Sequence, residues 1–350
     1  QGTFTFQRWD QTSGTQGNKV DASASGGTTA FSTNTATATL SVTAVNDAPT
    51  IAGSVSGTAY TEQVSSAYVF ANNIVISDVD HGGTAGSYNG AVATVSFGAY
   101  QTGDTLSVAN VNNVTFTAGT GVITYNSVQI AVAGGGSAAN LVITFDANAT
   151  QAGVNAVLNS VVFFNSSNDN PTATGTATTR AVSLTFADGG NTGSGGTQTS
   201  SATTGNLTVT AVDDAPTITS APTTVTVTED TASNLNLSAV TLADVDSGSS
   251  SVTLTIAAGA GTMTASSGGS VTVTNSGTGT LTLTGTVANI DTFLNTASNI
   301  QYTGASNASG TNVTTVTLPL SDGGNTGTGG TLTATANVQV DITAVNDAPT

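Results

Sequence analysis

The chain has 350 residues and a mass of 34.0 kDa, room for two or three ordinary domains. Only 7% of its residues are charged, 20 acidic against 3 basic, for a formal net charge of −17. So few Lys and Arg exclude a phosphate-binding nucleic-acid partner and disfavour anionic membrane surfaces, and no apolar run approaches the ~18 residues of a spanning helix.

A hydrophobic content of 37% and a mean hydropathy of +0.12 do not describe a disordered polar tail. Thr makes up roughly a fifth of the chain and alternates with Val, Leu, Ile and Ala, which suits pleated surfaces rather than helices. Cysteine is absent, so disulfides and thiolate metal sites are unavailable. The composition predicts an all-β protein.

In chain order, residues 1–49 read as the last strands of a preceding, incomplete repeat, ending on the phrase TAVNDAPT at 43–50. A first full repeat, 50–216, holds Glu62 and then the pair Asp78 and Asp80 in SDVD. His81 reads as a solvated loop histidine. Compared with the next repeat, about 30 residues are inserted between 81 and 157. Val154, Val157 and Leu158 then make a short helical stripe, and DGGNTGSGGT at 188–197 makes a glycine-rich turn. The linker phrase returns as TAVDDAPT at 210–217.

The second repeat, 217–350, matches the first at its ends. Glu229 lies 13 residues after Pro216, as Glu62 does after Pro49. Asp244 and Asp246 repeat the acid pair. Strands are predicted at 225–229, 251–256, 270–274, 280–285, 312–320 and 333–343. Ile290, Phe293 and Leu294 predict one or two helical turns closing an end of the fold. DGGNTGTGGT at 322–331 and TAVNDAPT at 343–350 follow, so the sequence reads as a window from a longer array. Six or seven strands per repeat predict tandem Ig-like Greek-key β-sandwiches with one helical turn each.

The acids, 18 Asp and 2 Glu, gather at the linkers, the DxD pairs, the strand-start positions and the glycine-rich turns. All four places can meet near the poles of stacked sandwiches. Crowded carboxylates resist joint ionisation, and with almost no basic residues a cation must neutralise them. Oxygen ligands without Cys point to Ca²⁺. Asp188 and Asp322 lie in turns that need no ion, and ligation there is the second reading.

The order "strand-start Glu, DxD, N-D-x-P linker" resembles a cadherin-type repeat, and more closely the bacterial cadherin-like and VCBS-type repeats of giant surface adhesins. The matching text is VTVTED at 225–230, LADVD at 242–246, and the run from LTLTGTVANIDTFLN through SDGGNTGTGG to ITAVNDAPT. The resemblance implies a calcium site shared by neighbouring repeats, formed by Glu62, Asp213, Asp214, Asp244 and Asp246. It also implies an upstream half-site of Asn46, Asp47, Asp78 and Asp80, and a downstream half-site of Glu229, Asn346 and Asp347. Thr210 and Val212 replace an acid and an Asn of the cadherin linker, and its Asp-Arg-Glu element is missing. These departures imply fewer ions or weaker binding.

Catalysis is not expected. There is one His and no Cys, and Arg8 and Arg180 lie in strand-like text. The acids also recur in each repeat, whereas an active site is normally unique. The implied role is a calcium-stiffened spacer of an extracellular, cell-surface adhesin or fibre, its partners being neighbouring repeats or other copies. Two alternatives stand: a self-assembling filament with strand completion between subunits if Gln1 is a true terminus, or a glycan-binding module in the insertion. The second would use Tyr88, Phe97, Tyr100, Phe116, Tyr125 and Phe145, for which core filling is the other reading.

Overall fold

Alternation of Thr with Val, Leu and Ile puts the apolar side chains on one face of a pleated strand and the hydroxyls on the other. The computed structural model obeys this. Leu281 and Leu283 in Thr280–Gly285, and Val252, Leu254 and Ile256 in Val252–Ala258, are all buried in one core. The structure describes residues 2–55, 57–63, 66–70, 73–81, 88–166, 169–190 and 193–347. Residues 348–350, with Pro349 of the last linker phrase, and 191–192 of the first glycine-rich phrase lie outside the described residues.

Among the described residues the fold is all-β apart from two eight-residue helices, α1 (Gln151–Leu158) and α2 (Val287–Leu294). The strands form two sandwiches with separate cores. One core is drawn from between Val55 and Val209, the other from between Val225 and Ile342. In the second, a six-stranded sheet runs in the order Thr224–Thr228, Thr333–Thr343, Gly310–Ser321, Val252–Ala258, Thr280–Gly285, Thr272–Thr274. A three-stranded sheet of Ser233–Asn234, Ile300–Thr303 and Thr262–Ala265 faces the same core. The long strands fall where alternation predicts them. Two-to-four-residue strands such as Ser233–Asn234 and Thr241–Ala243 carry no readable period of their own.

The first sandwich repeats this order and extends it. Its large sheet has eight strands, ending in Leu141–Phe145, Val128–Gly135, Val122–Tyr125 and Val114–Thr117. The insertion therefore widens the sheet. Its aromatics fill the core: Tyr88, Phe97 and Phe145 are buried, and Tyr100, Phe116 and Tyr125 pack half-buried against them.

Each helix buries the stripe read from the sequence: Val154, Val157 and Leu158 in α1, and Ile290, Phe293 and Leu294 in α2. Thr150 and Thr286 cap them, each hydroxyl accepting the N–H three residues on at 3.2 Å. The helices also hold the short strands that lead to the DxD pairs. Asn155 and Asn159 accept the N–H groups of Ile76 and Ile74, and Asp291 accepts that of Leu242, each at 2.9 Å.

One polar residue differs from its sequence-level expectation, and a second shows a contact the sequence did not name. His81 is not a solvated loop histidine: it is 2% exposed and stacks on Tyr88 at 4.9 Å between ring centroids. Arg180 does lie in a strand, Thr179–Ala187, but turns inward, its Nε donating to Asp104 Oδ2 at 2.5 Å and Nη2 to Oδ1 at 3.1 Å. The hairpin Gly2–Trp9 with Phe31–Leu40 stands apart, with Phe4, Phe6 and Leu40 at 64%, 55% and 58% exposure.

Removing one partner of a buried ion pair strands the other, at about 3–5 kcal/mol. Asp104→Ala is expected to destabilise the first sandwich by that amount. Urea denaturation followed by tyrosine fluorescence checks it, since five of the six tyrosines lie between residues 60 and 125.

Candidate metal centre

In each repeat the second strand pairs parallel with the last: Tyr60–Thr61 with Val209–Thr210, and Thr224–Thr228 with Gln339–Thr343. This pairing brings the strand-start Glu to the pole where the chain leaves. The Glu62 N–H donates to Thr210 O at 2.9 Å, and Glu62 Oε2 accepts the Val212 N–H at 2.7 Å. Glu229 repeats both contacts with Thr343 and Val345, each at 3.0 Å.

The next repeat starts with a second local pairing. Thr217–Thr219, immediately after Pro216, lies antiparallel to Thr241–Ala243, and the following loop carries Asp244 and Asp246. Asp246 Oδ2 accepts the Asp214 N–H at 2.7 Å, and Asp244 Oδ1 accepts the Asp246 N–H at 2.9 Å. The first linker is built alike, with Asp80 Oδ2 on the Asp47 N–H at 2.7 Å and Asp78 Oδ1 on the Asp80 N–H at 2.9 Å.

The structure therefore brings Glu62, Asp213, Asp214, Asp244 and Asp246 to one seam. Glu62 Oε1, both oxygens of Asp213, Asp214 Oδ2, Asp244 Oδ2 and Asp246 Oδ1 are buried there without a hydrogen-bond donor. Native proteins rarely leave such groups unpartnered, so these oxygens fit a cation. Burial pushes the Glu62 carboxyl up to about 7, with the charges of Asp246, Asp214 and Asp169 adding and the Val212 N–H opposing. Asp246 rises to about 6, mainly through burial. Asp213 and Asp214 are also raised by burial first, then by neighbouring carboxylates.

Among the described residues, the acids that already offer atoms all within 4.8 Å of one another are Glu229, Asp230 and Asp347, at the downstream end. Asn346, beside Asp347, is exposed. No three of the central five stand that close, so gathering their oxygens on one ion takes further side-chain rotation.

Sequence reading missed several contributors. Asp169 adds negative charge at the seam, Gln63 Nε2 donates to Asp214 Oδ1 at 2.8 Å, and Asn170 Nδ2 crosses to Val245 O at 3.0 Å. None of the three belongs to a repeated phrase. The glycine-rich turns have a role of their own. Thr328 of the second turn donates its N–H to Ala211 O at 3.0 Å and accepts the Asp213 N–H at 2.9 Å. Ser194 does the same for Ala44 and Asn46, each bond at 2.9 Å. Gly327 has φ +99°, and a Cβ there would lie 2.5 Å from Asp213 N, so both conformation and space demand glycine. Asp188 and Asp322 are occupied in holding these turns. Oδ1 of Asp188 accepts Gly190 and Gln198 N–H groups, and Oδ1 of Asp322 accepts those of Gly324 and Leu332.

The two linkers differ in the residue that faces the glycine-rich turn. Asn46 Nδ2 donates to Asp188 Oδ2 at 2.6 Å and to Gly196 O at 2.8 Å. Asp213 takes the same place beside Asp322 but has no proton to give. Asp213→Asn is therefore expected to stabilise the chelated protein by about 1–3 kcal/mol, measured by urea denaturation in EGTA. The pH dependence has a definite sign. Glu62 and Asp246 bind protons more tightly folded than unfolded, so in EGTA stability is greatest below pH 4 for these groups and falls as pH rises towards about 7. Melting curves between pH 4 and 8 check this, and Glu62→Gln should flatten the slope.

No family model matches the chain, and no curated protein matches it in sequence. Among solved structures, extracellular cadherin domains 1–5 of protocadherin gamma B2 align over 87% of this chain and 42% of their own, at 15% identity and a TM-score of 0.36. Domains EC22–24 of mouse cadherin-23 align over 86% and 68%, at 14% identity and 0.35. Domains EC1–2 of human mucin-like protocadherin align over 85% and 98%, at 11% identity and 0.30. This chain spans less than half the length of the first. The likeness to cadherin extracellular repeats is distant, and the site above rests on the chain's own geometry.

Proposed function

We propose that the chain is a run of adhesion-type repeats from an extracellular bacterial surface protein, stiffened by Ca²⁺ at the seams. One observation carries this reading: side chains from two repeats and their linker bury six carboxylate oxygens together without a donor. A bound Ca²⁺ supplies positive charge and accepts six to eight oxygens in flexible geometry. The rest follows from where the ligands are attached. Glu62 is fixed to the last strand of one sandwich, Asp213 and Asp214 to the linker, and Asp244 and Asp246 to the next sandwich. Drawing all five together removes the bending freedom of the joint.

The role is mechanical, and the acids recur at each seam as a joint requires. The order of motifs resembles bacterial cadherin-like repeats, which supports a spacer or fibre at the cell surface. No helix among the described residues is long and apolar enough to cross a membrane. A second reading, strand completion by another copy, is favoured by the hairpin Gly2–Trp9 with Phe31–Leu40. Its Phe4, Phe6 and Leu40 are bare, whereas Leu318, Leu320 and Val340 of the last hairpin are fully buried. Sedimentation of the chain separates the two, since strand exchange requires oligomers.

With a dissociation constant of ~10⁻⁴–10⁻³ M, Ca²⁺ at ten to a hundred times that level adds about 1.4–2.7 kcal/mol. The melting temperature should rise by about 3–10 °C and fall back in EGTA. Small-angle scattering should show a longer, narrower distribution of lengths with Ca²⁺. Asp213→Asn with Asp246→Asn should abolish both responses. An unchanged melting curve and scattering profile would overturn the reading.

A further inference from the structure

Burying an imidazole with neither nitrogen paired is costly, and such groups point to a missing partner. His81, the one histidine in the chain, is 2% exposed, and neither Nδ1 nor Nε2 hydrogen-bonds a described residue. Stacking at 29° on Tyr88 fixes the plane of the ring. Asp78 Oδ2 lies 3.1 Å from His81 Nδ1, and both side chains are fully buried. The contact is close but not aligned as a hydrogen bond, and this oxygen too has no donor. Asp78 Oδ1 is already engaged by the Asp80 N–H. A nitrogen and an oxygen thus stand side by side, both buried and neither with a hydrogen-bond partner.

Their spacing is informative. Donors about 2.0–2.2 Å from a Zn²⁺-like ion, at 90–109° to one another, stand about 3.0–3.5 Å apart. The observed 3.1 Å is such a bite. A hard, oxygen-seeking ion with bonds of about 2.3–2.6 Å has little use for imidazole. The second repeat has Ser247 in place of His81. Ser247 donates its N–H to Asp244 Oδ1 at 3.0 Å, and Asp244 Oδ2 has no donor and no nitrogen side chain at this position. One position in the fold is thus oxygen-only at one seam and nitrogen-bearing at the other.

We propose that His81 and Asp78 form a mixed nitrogen–oxygen site for a borderline divalent cation such as Zn²⁺ or Co²⁺. The site takes Asp78 from the upstream half-site for a nitrogen–oxygen ion, and it does not rest on the calcium reading of the second seam.

The test titrates the full chain with CoCl₂ in the presence of saturating Ca²⁺. One tight equivalent is expected, with a visible d–d band and a hyperfine-shifted, exchangeable imidazole proton in the NMR spectrum. With one histidine, that proton can only be His81. His81→Ser, which installs the residue of the other repeat, should remove the signal and weaken binding on the order of tenfold or more, beyond any loss of metal-free stability from the vacated ring, which a metal-free melting curve of the variant measures separately. Asp78→Asn should weaken binding likewise, and Zn²⁺ should displace Co²⁺. Co²⁺ binding without a shifted imidazole proton, or equal affinity in His81→Ser, overturns the proposal and leaves a plain buried His–Asp contact. If Ca²⁺ leaves melting unchanged while the imidazole signal persists, the calcium reading fails and this one stands.

Discussion

A carboxylate taken out of water costs several kcal/mol unless something positive or a donor meets it, and this molecule repeatedly withholds both. Its three basic residues are no help at the seam. Arg180 is committed to Asp104 inside the first sandwich, and Arg8 and Lys19 are exposed in the leading segment. Of the ten carboxylate oxygens of Glu62, Asp213, Asp214, Asp244 and Asp246, three accept backbone N–H groups, one accepts the Gln63 side-chain amide, and six have no donor. The fold places them there all the same. The parallel pairing that closes each sandwich is the pairing that carries Glu62 and Glu229 to the exit of the chain.

Two kinds of attachment coexist at each joint. The glycine-rich turn clasps the linker through backbone hydrogen bonds that no ion influences, with Asp188 or Asp322 holding the turn's shape. Beside it, the carboxylates repel one another and favour opening. The clasp keeps the sandwiches in register, and the charge decides how tightly the joint is held. Asn46 and Asp213 show how little sequence change shifts that balance, since an amide can donate where a carboxylate cannot.

The long strands and both helices were legible because their periods are long enough to count. The grouping of Glu62, Asp213, Asp214, Asp244 and Asp246 was implied by the family resemblance, and their hydrogen bonds now place them along one linker. His81 misled because a single residue beside an acidic pair has no period and no repeated partner. Its burial depends on Tyr88, in the segment unique to the first repeat. Asp169 and Asn170 escaped notice for the same reason: their loop reaches the next repeat only once both sandwiches are stacked.

By itself the sequence determined the all-β class, the repeat, the burial of alternate side chains and the acids available to each linker, because these depend on residue type and local spacing. Tertiary structure alone decided which carboxylate oxygens lose their donors, which turn grips which linker, and that one histidine leaves water. Those outcomes depend on contacts between residues tens to more than a hundred positions apart, and solvent exposure is a property of the packed molecule rather than of any segment.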